Sequence, residues 1–134
     1  MAASDLNQVV QIENQLFSSP WTLKDFEYEL NENPYSTLYV IENNDEICGY
    51  CDVWCLFERA EITCIAVKKA FQRLGYAQQL MEKMELTAQT NNCENISLEV
   101  RVSNEAAINL YQKNQYIVLN TKKDIIPIMV KMLF

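Results

Sequence analysis

AEITCIAVKKAFQRLGYAQQLMEKMELTAQTNNCENISLEVRV, residues 60–102, reads as a strand, a basic loop, a helix and a second strand. Ala60 to Val67 is a strand-like run. Ala77, Leu80, Met81, Met84 and Ala88 then recur at i, i+3, i+4, i+7 and i+11, which predicts a helix from about Gly75 to Thr90. From Ile96 to Val102 the rhythm becomes two: Ile96, Leu98, Val100 and Val102 take one face, Ser97, Glu99 and Arg101 the other. A strand–helix–strand unit of this kind requires a parallel strand pair.

The chain on either side supplies an antiparallel surround. Thr37 to Ile41 and Ile47 to Phe57 are strand-like and joined by the turn Asn43-Asn44-Asp45, a hairpin signal. Before them, Ser4 or Asp5 caps a helix through Leu6, Val9, Val10, Leu16 and Phe17. Pro20 stops it, and Thr22 caps a second helix through Phe26 and Leu30 that ends before Pro34. After Val102, Ser103 or Asn104 caps a short helix through Ala107, Leu110 and Tyr111, and strands near Tyr116 to Leu119 and Ile126 to Leu133 close the chain. The expected fold is α/β: a mostly antiparallel mixed sheet with a central parallel pair, flanked by helices. No linker, repeat or low-complexity tract divides residues 1–134, so one domain is expected.

Composition removes several chemistries. There is no histidine, hence no Ser-His-Asp or Cys-His nucleophile and no His-ligated metal. The only glycines, Gly49 and Gly75, cannot make a dinucleotide or Walker-type loop. Residues 1–62 hold twelve acids against Lys24 and Arg59, a balance of −10, and residues 63–134 hold nine bases against six acids. Such a first half repels nucleic acid and attracts a cationic substrate, or simply keeps the surface solvated. The longest apolar run, Ile125 to Val130, is far short of the roughly twenty residues a membrane span needs. Five cysteines with no secretion signal suggest a reducing cytosol. Cys48 and Cys51 form a C-x-x-C on a strand, where the two side chains point to opposite faces. With Cys55 and Cys64 they read as small core residues, and no metal site is expected.

Two groups of residues can carry chemistry. The segment Lys68 to Ala77 lies between a strand and a helix start, has three bases and no acid, and turns at Gly75. Free N–H groups and the positive dipole end at such a helix start bind phosphate. An ordinary turn beside a basic rim has the same composition. The second group is Glu99, Asn104 and Tyr111. With histidine absent, a base must be a carboxylate, Lys, Tyr or Cys, and Glu99 lies on the polar face of its strand. Taken singly, these residues equally read as a solvated strand face, a helix cap and a core tyrosine.

Together they resemble the GNAT superfamily of N-acetyltransferases. That family's phosphate-loop pattern Q/R-x-x-G-x-G/A is matched by Gln72, Gly75 and Ala77. Pro20-Trp21-Thr22 leading to Phe26, Ile65-Ala66-Val67, and Leu98 to Asn104 followed by Ala106-Ala107-Ile108 and Leu110-Tyr111 are most similar to the ribosomal-protein-alanine N-acetyltransferase (RimI) group. The similarity runs from about Asp5 to Tyr116. The chain departs from the pattern at Asn114-Gln115-Tyr116, where the family usually has L-G-F, and in a shorter stretch after Leu119 that lacks the tyrosines often found there.

The resemblance implies roles by position. Ile65, Ala66 and Val67 would offer backbone groups to the acetyl and pantetheine arm of acetyl-CoA. Arg73, Leu74, Gly75, Tyr76, Ala77 and Gln78 would cradle its pyrophosphate, and Asn104 would contact it. Glu99 would be the general base and Tyr111 the general acid. The implied function is cytoplasmic, acetyl-CoA-dependent acetylation of a protein N-terminal amine, with the N-terminal alanine of a basic ribosomal protein favoured. It involves no metal, no direct nucleic-acid partner and no membrane. The same fold acting on a small amine or lysine, and a non-catalytic acetyl-CoA-binding partner subunit, are the alternatives.

Overall fold

The structure, a computed structural model, describes residues 1–122 and 126–133; Ile125 of the last apolar run lies outside the described residues. A short 3-10 turn, Ala3–Asp5, leads into α1 (Leu6–Leu16) and α2 (Leu23–Asn31). Strands β1 (Ser36–Asn43), β2 (Glu46–Leu56) and β3 (Arg59–Val67) follow, then α3 (Tyr76–Thr90), β4 (Asn95–Glu99), α4 (Glu105–Lys113), β5 (Ile117–Lys122) and β6 (Ile126–Met132). The six strands form one sheet in the order β1-β2-β3-β4-β6-β5, antiparallel everywhere except between β3 and β4. The parallel pair required by the central unit is therefore in place.

Local chemistry explains the boundaries. Thr22 and Asp25 form a reciprocal capping box at α2: Asp25 N–H donates to Thr22 Oγ1 at 3.2 Å, and Thr22 N–H donates to Asp25 Oδ2 at 2.8 Å. Asp5 stands at the N-cap of α1, but its carboxylate accepts from Ala2 N–H instead of capping the helix. Phe17 turns out of α1 into extended backbone and is exposed, while Ile12, which is not among the expected apolar positions, is in the core. Asn44 and Asp45 both have positive φ (52° and 67°), the twist a two-residue hairpin needs between β1 and β2.

The sheet carries a core on each face. Leu6, Val9, Ile12 and Phe26 of α1 and α2 pack on Leu38, Ile47, Tyr50 and Ala66. On the other face Leu80, Met81, Met84 and Ala88 of α3, with Tyr111 of α4, pack on Val53, Ile62, Ile96 and Leu98. Gly49 is required by contact: a Cβ there would lie 2.7 Å from the carbonyl oxygen of Ala66. No helix among the described residues is long and apolar enough to cross a membrane.

Several expected strand boundaries move. β4 stops at Glu99, so Arg101 and Val102 are not in the strand, and Val102 is 59% exposed. Val100 N–H still bonds Pro127 O, but Asn104 N–H then bonds Arg101 O and turns the chain into α4. Tyr116 is a core residue just before β5, which itself runs on to Lys122. Leu133 lies just beyond β6.

The feature that positions the site is a fork in the sheet. β3 and β4 pair only from Arg59↔Asn95 to Ile62↔Leu98. A register shift in the β2–β3 ladder then sets Thr63 apart, and from Cys64 to Val67 β3 pairs with β2 alone among the described residues. Glu99 meanwhile stays with β6, opposite Ile128. The parallel strands separate at their C-terminal ends.

Candidate active site

Each arm of the fork presents chemistry. On β3, Lys68 N–H donates to Cys48 O at 2.7 Å, so strand alternation turns the N–H groups of Ile65 and Val67 away from β2 and toward the gap. The loop beyond β3 makes a short 3-10 turn, Lys69–Phe71, and enters α3 through Gly75, whose φ of 89° is left-handed. No side chain caps α3, and a Cβ on Gly75 would meet nothing within 4 Å. The N–H groups of the first turn, Tyr76 to Gln78, have no intrahelical partner and stand at the positive end of the helix dipole. Of the three bases expected to help, Lys68 is engaged by Glu46 at 3.1 Å, while Lys69 and Arg73 are exposed. Arg73 also has a positive φ of 64°.

The gap itself is a cleft of about 620 Å³ that runs through the sheet. Ile65, Glu99, Asn104 and Tyr111 all line it, so four of the residues singled out in the sequence come together there. Ala66 and Val67 continue β3 beyond that lining; the Ala66 side chain is in the α1–α2 core. Arg73, Leu74, Gly75, Tyr76, Ala77 and Gln78 also lie outside the lining, at the start of α3. A pyrophosphate there and a reacting group at Glu99 and Tyr111 therefore need a long, thin ligand reaching along the exposed edge of β3. Coenzyme A has that shape, and this chain's residues fit it.

The side chains differ in setting. Glu99 is exposed at the end of β4. Tyr111 is only 5% exposed and shares the cleft with Cys64; burial first, then the charge effect of that thiol, push its pKa up to about 12. It stays protonated across the physiological range. Asn104 Oδ1 accepts from Ala107 N–H at 3.2 Å, so it caps α4 while facing the cleft. The Gln78 side chain is bound to Asn114, which leaves its backbone N–H as its contribution to an anion.

Sequence reasoning missed Glu13. It lines the cleft yet is 4% exposed; Oε2 accepts from Trp21 N–H at 2.9 Å and Oε1 from the Tyr50 hydroxyl at 2.6 Å. It pins the α1–α2 connection, whose Phe17, Ser18, Ser19 and Trp21 form the wall facing Glu99 and Arg101. An acid on the apolar Leu6/Val9/Ile12 side of α1 was the available signal. Cys64, read as a core residue, is half-buried and lines the same cleft.

A family model described as Acetyltransferase (GNAT) family matches residues 6–116. The chain belongs to the GNAT acetyltransferase family. A Bacillus subtilis (strain 168) protein that carries the provisional name ribosomal protein bS18-alanine N-acetyltransferase is 38% identical over 113 residues, 84% of this GNAT chain and 75% of that protein. The crystal structure of the ribosomal-protein-S18-alanine N-acetyltransferase from Escherichia coli superposes with a TM-score of 0.87 at 22% identity, covering 99% of this chain and 90% of that one. A Thermoplasma acidophilum N-acetyltransferase structure in complex with coenzyme A gives a TM-score of 0.88 at 14% identity, over 98% and 95% of the two chains. The fold is that of the GNAT enzymes, as the element order led us to expect. The protein is an N-acetyltransferase with acetyl-CoA as its donor.

Proposed function

We propose that this GNAT enzyme acetylates the N-terminal amine of a protein, with the N-terminal alanine of a ribosomal protein as favoured acceptor, in one domain spanning residues 1–134. The observation that carries the reading is the single cleft at the sheet fork that gathers Glu99, Asn104 and Tyr111. The relatives whose names specify alanine acetylation of ribosomal protein bS18 support the acceptor class. The −10 balance of residues 1–62 suits a basic chain.

Bound acetyl-CoA supplies the acetyl group as a reactive thioester. The N–H groups of Ile65 and Val67 hold its arm along the β3 edge, and the first turn of α3 from Gly75, flanked by Arg73, holds its pyrophosphate. An N-terminal amine with a pKa near 8 is largely ammonium at pH 7, so Glu99 removes a proton, directly or through a water, before attack. Tyr111, kept protonated by burial, delivers a proton to the departing thiolate.

The test is thiol release from acetyl-CoA with three acceptor sets: peptides beginning with alanine, peptides with blocked N-termini and a free lysine, and small amines. Turnover with the first set alone is expected. Preference for either other set moves the enzyme to that acceptor, and release with none overturns the catalytic reading. Glu99→Gln should lower kcat roughly a hundred-fold with donor binding nearly unchanged. Near-full turnover in that variant would return Glu99 to a solvated strand end. Tyr111→Phe should also lower kcat, and the deficit should shrink with a donor whose leaving thiol is more acidic. An equal deficit with both donors would leave Tyr111 a packing role only.

A further inference from the structure

Asn114, at the position where the family usually has leucine, is the C-cap of α4 and makes three side-chain hydrogen bonds. Its Nδ2 donates to Gln78 Oε1 and to Leu110 O, each at 2.8 Å, and its Oδ1 accepts from Gln78 Nε2 at 2.7 Å. Gln78 is the third residue of α3, inside the turn whose N–H groups face the anion site. Asn114 lies three residues after Tyr111, and Asn104 caps the other end of the same helix. One two-way amide pair therefore joins the grip on the donor's phosphates to the helix that carries the proposed acid.

A leucine at 114 would pack in this half-buried place, but apolar contact has no direction. The paired amides fix both separation and orientation, because each partner donates and accepts once. The distance matters because a single donor molecule must reach both ends: pyrophosphate at the α3 turn, sulfur at Tyr111. Misplacing a reacting group by about 1 Å can cost on the order of a hundred-fold in rate. Glu82 Oε1 also accepts from Gln78 Nε2, at 3.2 Å, so a Gln78 released by Asn114 has another partner waiting within α3 and the strut can open without stranding an amide.

We infer that Gln78 and Asn114 are positioning residues that set the span between the phosphate-binding turn and Tyr111. The inference rests on the placement of donor and acid given above. Asn114→Leu removes the polar pair at similar volume. With folding checked by circular dichroism and melting, it should lower kcat about ten-fold and raise the KM for acetyl-CoA several-fold. In a Tyr111→Phe background the same change should leave kcat within two-fold, because the group being positioned is gone. Asn114→Gln keeps the amide but is one methylene longer, so it should also lower kcat while the Tyr111 hydroxyl is present. If Asn114→Leu does not fold, Asn114→Asp, which loses both donated bonds but keeps the size, is compared in the same two backgrounds. Unchanged kcat and KM in a folded variant, or an equal loss of kcat with and without the Tyr111 hydroxyl, overturns the inference. Full turnover by Tyr111→Phe alone overturns the underlying site instead, and that outcome is read before Asn114 is touched.

Discussion

Asp52 is fully buried, and its Oδ2 is the one buried side-chain oxygen without a hydrogen-bond partner among the described residues. Oδ1 accepts from the Ser36 hydroxyl. Burial pushes its pKa up to about 6; the Ser36 bond opposes this, and nearby Glu29 adds to it. Because the folded value lies above the unfolded one, the favourable contribution is complete below about pH 4 and is lost as pH rises through about 6. Asp52→Asn should therefore gain stability relative to wild type as pH goes from 4 to 8, by at most about 3 kcal/mol. Melting curves of both proteins at the two pH values test this, and a constant difference would contradict it. Gln115 offers a second test. It follows α4 with a φ of 72°, where the family usually has glycine, and a left-handed side chain costs roughly 1 kcal/mol. Gln115→Gly should recover about that much in denaturant titration, less whatever glycine adds to the unfolded chain's entropy. Glu99 and Tyr111 were legible because a carboxylate and a tyrosine recur at family spacing. Glu13 and Asp52 were not, since their partners come from strands and loops distant in the chain.

Secondary elements were legible wherever the pattern was local. Thr22 and Asp25 announce α2, and the Leu80/Met81/Met84/Ala88 stripe announces α3. The end of β4 was hidden because alternation continues through Val100 to Val102 after the backbone has left the sheet; periodicity records side-chain direction, not hydrogen-bond partners. The start of α3 carries its own prediction. The Cβ of Gly75→Val would enter empty space, so steric collision with the protein is absent and the cost arises from the φ of 89°. The fold should survive with a lower melting temperature, while acetyl-CoA affinity falls at least about ten-fold, roughly 1.4 kcal/mol, by calorimetry. Unchanged affinity would remove the pyrophosphate from this turn.

At the scale of the molecule, the central parallel pair and the first hairpin were legible, but the place of β6 between β4 and β5 and the fork were not. The crossover through α3 places β4 beside β3, and the hairpin turn places β1 beside β2. How far two parallel strands stay together is a matter of register, on which the apolar runs of β3 and β4 are silent. The acidic first half is likewise visible in composition, while the cleft wall from Glu13 to Trp21 forms only when α1, α2 and the sheet assemble.

The fork also sets a pattern in time. Ala66 N–H faces β2 within the ladder, whereas its neighbours Ile65 and Val67 present theirs to the gap. In water, with no donor, the amide protons of Ile65 and Val67 should exchange with deuterium without any opening of the fold, and Ala66 only when the ladder breaks. A coenzyme arm lying along β3 acts as a stand-in strand and should slow residues 65 and 67 while shifting Ala66 far less. Fast and slow amides alternating along a central strand, and equalised by the ligand, would be the signature of a sheet whose missing ladder is completed by its substrate.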